Sequence, residues 1–180
     1  MIIGLVGPLA TGKGTITEYL VKQHGAKAVK FSQPLRDMIN RCYVHETREA
    51  MSQLAQLMRA NYGNDILVKT LIKDLEKMDV PIAVFDGIRY FDEYNALRER
   101  KDFRLWAVAT DLTVRHSRIV KRGENAGEAD LTLDQFKAQH ELPTELAIPD
   151  IMQKADVTIN NNGSMEELYA QIDALVAKLK

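Results

Sequence analysis

The stretch MIIGLVGPLATGKGT, Met1 to Thr15, decides the fold. Met1 to Val6 is a near-continuous apolar run, which reads as a strand buried on both faces in a parallel sheet. From about Gly12 to Gln23, Ile16, Tyr19 and Leu20 share one helical face. Between strand and helix lies GPLATGKGT, Gly7 to Thr15, which satisfies G-x-x-x-x-G-K in the place where that pattern cradles phosphate. Gly7, Gly12 and Gly14 let the main chain bend so that its N–H groups turn inward, with Ala10 and Thr11 between them. The helix N-terminus adds partial positive charge, and Lys13 supplies a point cation for the outer phosphates of a nucleoside triphosphate. The usual pattern follows the lysine with a Ser or Thr hydroxyl for magnesium. Here Gly14 takes that place and Thr15 comes next, so a metal would be held mainly by water, phosphate and an acid elsewhere, with Thr15 a weak ligand.

Outward from this loop, apolar β-rich runs alternate with helical patterns, the signature of a parallel sheet wrapped by helices. Further strands are expected at Ala26 to Phe31, Pro81 to Phe85, Phe103 to Ala109 and Val157 to Asn160. Ser32 to Leu57 and onward reads as helix, broken near Tyr62-Gly63-Asn64, and Asp65 to Lys77 as another. The last helix has Ser164 as N-cap, Glu167 completing a capping box, and one face of Met165, Leu168, Ile172, Leu175, Val176 and Leu179. Gly123 to Asp130 is the least structured stretch, a candidate mobile loop.

The bulk properties narrow the classes. The 180 residues suffice for one domain with a real core. The net charge of −1 (24 basic against 25 acidic residues) disfavours nucleic acid as a main partner. One cysteine, Cys42, provides neither a disulfide framework nor a zinc site and fits a reducing compartment. His24, His45, His116 and His140 show no metal-ligand spacing. No apolar run reaches the roughly 18 residues of a membrane span, and the N-terminus lacks the basic segment of a signal peptide. A cytoplasmic protein is expected, a monomer or homodimer acting on small-molecule nucleotides.

A second set of residues suits phosphate chemistry. Asp86 ends the strand Ile82-Ala83-Val84-Phe85, where a carboxylate faces the ligand crevice and can hold magnesium through water. Arg89 follows three residues later, its planar fork suited to a second phosphate. Arg115, Arg118 and Arg122 share a helix face at about 0°, 300° and 340°, with no acidic residue inside the helix. Stacked like charges repel, so an anion is the expected partner, and the loose loop beyond Arg122 would let them close over a transferring group. If a helix starts near Pro34, Ser32 or Gln33 lies at its N-terminal end and Arg36 within reach of a phosphate monoester there; Arg59 is a further, weaker candidate in the same insert.

These residues resemble the nucleoside monophosphate kinase group, as in adenylate kinases. GKGT at Gly12 to Thr15 resembles their phosphate loop, and PLRDM at Pro34 to Met38 the segment whose arginine binds the monophosphate. FDGIR at Phe85 to Arg89 resembles their D-G-x-P-R segment, with Ile88 and Tyr90 departing from it and proline absent. Arg115, Arg118 and Arg122 look like lid arginines. Ala155 to Leu168, ADVTINNNGSMEEL, is similar to dephospho-coenzyme A kinases and small kinase-like proteins, in which this loop borders adenine, pointing to Asn160, Asn162 and Gly163. The resemblance implies an α/β three-layer sandwich of the P-loop NTPase type, with a five-stranded parallel sheet of order 2-3-1-4-5. It implies one kinase domain over residues 1–180, a helical acceptor-binding insert at about 34–78 and a short lid at about 115–142. It implies Mg2+, with ATP as donor, and transfer of the γ-phosphoryl group to a nucleoside or deoxynucleoside monophosphate. Lys13, Asp86 and the three lid arginines would serve the transfer, and Ser32, Arg36, Arg59 and Arg89 the acceptor. A dephospho-coenzyme A kinase-like enzyme is an alternative, which requires a base. A nucleotide-gated regulatory ATPase is another, although N-K-x-D is absent.

Overall fold

The computed structural model describes residues 1–123 and 128–179, the side chain of Arg48 excepted. Its centre is a parallel sheet of β1 (Ile2–Val6), β2 (Lys27–Val29), β3 (Ala83–Asp86), β4 (Phe103–Ala109) and β5 (Val157–Asn160), in the order β2-β3-β1-β4-β5. This is the expected order. In register, Leu5 of β1 lies beside Asp86 of β3 and Trp106 of β4, so the C-terminal strand ends share one edge. All five β1 residues are buried, as a strand covered on both faces requires.

Period-two alternation splits the core. Ile2, Phe85, Phe103 and Leu105 pack on one face with Val68 and Leu71 of α4 (Ile66–Leu75), Leu97 of α5 (Phe91–Arg98), and Ile148 and Ile151 of α8 (Ile148–Met152). Ile3, Leu5, Trp106 and Val108 pack on the other with Ile16 and Leu20 of α1 (Lys13–His24), and Leu168, Ile172 and Val176 of α9 (Met165–Ala177). The result is three layers. The Ser164 cap and Glu167 capping box of α9 are present as read, with Glu167 N–H donating to Ser164 Oγ at 3.2 Å and Ser164 N–H to Glu167 Oε2 at 2.8 Å.

The insert departs from the sequence reading. In place of one long helix there are two, α2 (Gln33–Arg41) and α3 (Arg48–Tyr62). The break spans 42–47, where Tyr43 takes a left-handed φ of 59° and the Thr47 hydroxyl accepts from Ala50 N–H to start α3. The stretch contains neither Gly nor Pro, the usual punctuation. The second strand is also shorter than expected, three residues, and α5 was not anticipated. Beyond β4 come α6 (Leu112–Arg122) and α7 (Leu133–Ala138). The centre of the candidate mobile loop, 124–127, lies outside the described residues. Among the described residues no helix is long and apolar enough to cross a membrane.

Candidate active site

The loop between β1 and α1 is bent by two left-handed residues, Ala10 at φ 62° and Gly12 at φ 96°. A non-glycine residue in that region is uncommon, and such positions collect at ligand-holding turns. Gly12 admits nothing larger for a second reason. A Cβ there would run into the side-chain amide of Asn161.

The carbonyl of Thr11 anchors the loop to two other segments. It accepts from Asn161 Nδ2 at 2.7 Å and from Thr110 Oγ1 at 3.1 Å. The Thr11 hydroxyl donates back to Pro8 O at 3.1 Å, and the residue is fully buried. The loop is therefore held from β1, from the end of β4 and from the segment after β5.

A cavity of about 540 Å3 opens against this loop, walled by Ala10 to Thr15 with Asp86, Arg118 and Arg122. Lys13 folds back over the loop and donates to the carbonyls of Gly7 at 2.7 Å and Pro8 at 2.9 Å. Burial pulls its ammonium down to about 8, Asp86 and Glu145 opposing the shift and Arg89 and Arg115 adding to it. Burial likewise raises the Asp86 carboxyl, against Lys13, Arg89 and Lys30. The two groups, each partly buried, bear on one another's charge.

The three arginines of α6 part company. Arg115 is buried and turned into the protein. Its Nε donates to Thr110 O at 3.1 Å, its Nη1 to Leu9 O at 3.3 Å and to His140 Nε2 at 2.6 Å, and it lies 5.5 Å from the Phe136 ring centre. Nδ1 of His140 donates to Lys137 O at 3.0 Å, which leaves Nε2 as acceptor. Arg115 thus joins the phosphate loop to α7. Arg122 pairs with Glu128 at 2.7 Å. Arg118 reaches Asn161 Oδ1 at 3.4 Å through Nη2, while its Nη1 is buried with no hydrogen-bond partner. A buried guanidinium N–H without a partner is uncommon.

The acceptor candidates lie away from the cavity wall. Ser32 is the residue before α2 and makes no capping bond there. Arg36 pairs with Glu46, across the helix break. Arg59 lies 3.6 Å from Glu93 and 5.1 Å from the Tyr90 ring centre. Glu93, whose carboxyl burial raises, also accepts from Arg89 N–H at 3.0 Å and Tyr90 N–H at 3.3 Å, starting α5. Arg89 pairs with the buried Glu145 at 3.2 Å. Arg59, Arg89, Glu93 and Glu145 are thus brought together, and Arg36 stands apart. A larger cavity, about 870 Å3, lies within the insert between α2 and α3, walled by Met38, Ile39, Cys42, Val44, Leu54 and Leu57.

At the end of β5, Asn160 and Asn162 make turn contacts. Asn162 N–H donates to Asn160 Oδ1 at 3.0 Å, and Asn162 Oδ1 accepts from Asp111 N–H at 2.7 Å. Gly163 follows, exposed. The residue that faces the phosphate loop is the one the sequence reading passed over, Asn161. Glu145 was also missed. Neither carries a local signal, because each acts on partners far along the chain.

Asp86 and Thr15 share the cavity with Lys13, so an oxygen-ligated divalent ion fits the donors present. Among the described residues no three His, Cys, Asp or Glu side chains gather.

This sheet order and phosphate loop define a P-loop kinase-like fold of the shikimate kinase type. Shikimate kinase from Bacteroides thetaiotaomicron superposes with a TM-score of 0.61 at 13% identity, over 99% of this chain and 98% of that one. TT1252 from Thermus thermophilus does so with 0.61 at 19%, over 100% and 98%. In sequence the chain is similar along nearly its whole length to UPF0200 proteins. It is 28% identical over 179 residues to that of Methanoculleus marisnigri, covering 99% of this chain and 96% of the relative. It is 29% identical over 182 residues to that of Methanoregula boonei, covering 99% and 97%. No family model matches the chain.

Proposed function

We propose that the protein transfers the γ-phosphoryl group of ATP, with Mg2+, to a nucleoside or deoxynucleoside monophosphate. The observation that carries this is the pairing, in one cavity, of a partly buried Lys13 with an Arg118 whose Nη1 is buried without a partner. Both donors suit a polyanion lying along the loop amides.

In this reading Lys13 leaves the Gly7 and Pro8 carbonyls for the outer phosphates. Arg118 and Arg122 hold charge on the transferring group, and Arg115 keeps the loop in place through Leu9. Asp86, with Thr15 as a weak second, would hold the magnesium ion through water, where it screens phosphate charge. An acceptor phosphate oxygen attacks the γ-phosphorus, the bond to the bridging oxygen breaks, and ADP leaves. No side-chain base is needed, since the nucleophile is already an anion, and catalysis is positioning and electrostatics. Arg89 is the arginine best placed for the acceptor. Arg59 braces it through Glu93, and Arg36 serves only if it leaves Glu46. The loop of Asn160, Asn162 and Gly163 would border the base.

One observation favours a second reading, a hydroxyl acceptor. Glu145 is buried beside Arg89 and near enough to bear on the Lys13 charge, so the site holds a carboxylate able to act as a base. A coupled ADP-release assay separates the readings. ATP and GTP are offered as donors to all common nucleoside monophosphates and to dephospho-coenzyme A. Turnover with a monophosphate is expected; turnover with the hydroxyl acceptor alone supports the second reading. Slow hydrolysis indifferent to every acceptor would overturn both.

A further inference from the structure

We propose that Asn161 is a positioning residue that locks Arg118 to the phosphate loop and thereby sets the donor's transferring group. The inference rests on reading the cavity as a triphosphate site.

Asn161 differs from the asparagines on either side. Asn160 and Asn162 are exposed and close a turn, while Asn161 is 4% exposed. Its main chain is fixed, its N–H donating to Ala109 O at 2.8 Å just past the end of β5. The two ends of its amide divide their work. Nδ2 donates to Thr11 O at 2.7 Å, and Oδ1 accepts from Arg118 Nη2 at 3.4 Å. The contact to a carbonyl fixes which end is nitrogen, since the flipped amide would set two oxygens together. Only Asn has both a donor and an acceptor at this reach; aspartate would lose the donor, and alanine both.

The consequence falls on Arg118. With Nη2 turned to Asn161, Nη1 is left buried without a partner near Gly12. An unsatisfied buried N–H is costly and persists only where neighbours hold it. Asn161 is that neighbour. It also fills the space where a Cβ on Gly12 would lie, so loop, arginine and amide are built as one piece. Such a donor need not reorganise when charge shifts during transfer.

The test is a double-mutant cycle read in kcat and in binding of the β,γ-imido analogue of ATP with magnesium. Asn161→Ala should lower kcat about tenfold, the scale of a hydrogen bond to a charged group. In an Arg118→Ala background the same change should cost less than about twofold, because the residue acts through Arg118. Asn161→Ser is too short for Arg118 but leaves a hydroxyl in the buried pocket, and it should reproduce the kcat loss with less strain on folding than Asn161→Ala. Equal losses in both backgrounds, or wild-type kcat in Asn161→Ser, would overturn the proposal while leaving the kinase reading intact. Absence of analogue binding to the unsubstituted protein would instead remove the triphosphate reading on which it stands.

Discussion

The ammonium of Lys13 donates to the carbonyl of Gly7 at 2.7 Å, so the cation of the phosphate loop is spent on the loop itself. The contact explains how a partly buried charge persists here, while burial, which disfavours the charged form, is why its proton is loosely held, at about 8. A polyphosphate beside Lys13 would raise that value, so the nucleotide-bound form holds more protons than the free one. Proton uptake on ATP binding is expected near pH 8, with affinity falling as pH rises above it. Calorimetry in buffers of differing ionisation heat measures this. An affinity flat from pH 7 to 9 would contradict it.

The same partly buried charge affects stability. Between pH 8 and 10.5 the unfolded chain keeps the Lys13 proton that the folded chain has lost, so this group's contribution rises with pH across that window. Below it the burial cost is present in full. Lys13→Met is expected to abolish transfer yet raise stability at pH 7 by about 1–2 kcal/mol, reduced from the full charge-burial term because two carbonyls lose a donor. The gain should shrink toward pH 10. Thermal unfolding of both proteins at pH 7 and pH 10 checks this.

Two glycines of one loop should respond oppositely to alanine. Gly12 has φ 96° and its missing side chain is replaced in space by the Asn161 amide, so Gly12→Ala should destabilise by about 2–4 kcal/mol. At Gly14, within the first turn of α1, an added Cβ meets nothing within 4 Å. Gly14→Ala should stabilise by about 0.5–1 kcal/mol and leave nucleotide binding within about twofold, since the usual pattern carries a side chain there. Chemical denaturation of the pair resolves the two signs.

The contrast between Gly12 and Asn161 marks what the sequence could say. The need for glycine at 12 is written in a nine-residue motif between a strand and a helix, and strands as apolar as β1 and β4 announce themselves by composition. The sheet order was legible only through the resemblance. Asn161 meets Thr11 across 150 positions, and Arg115 meets Leu9 across 106, contacts no local pattern encodes. Arg115, Arg118 and Arg122 do fall within one helix, α6. Burial then gave the three different partners, and burial is a property of the whole fold. The break at 42–47 was missed because Tyr43 adopts the left-handed region without being glycine.

Glu145 separates the two acceptor readings, because its carboxylate holds Arg89. If the acceptor is a phosphate monoester, Glu145 competes with it for the arginine. Glu145→Gln should then lower the acceptor KM by about three- to tenfold and leave kcat near its original value, since the removed charge acts only on binding. If the acceptor is a hydroxyl and Glu145 takes its proton, the same substitution should cut kcat by about a hundredfold or more with little change in KM. The proposed monophosphate kinase requires the first outcome. Steady-state kinetics on whichever acceptor the screen identifies supplies the answer, and a loss confined to kcat would transfer the assignment to the hydroxyl-directed enzyme, with Glu145 as its base.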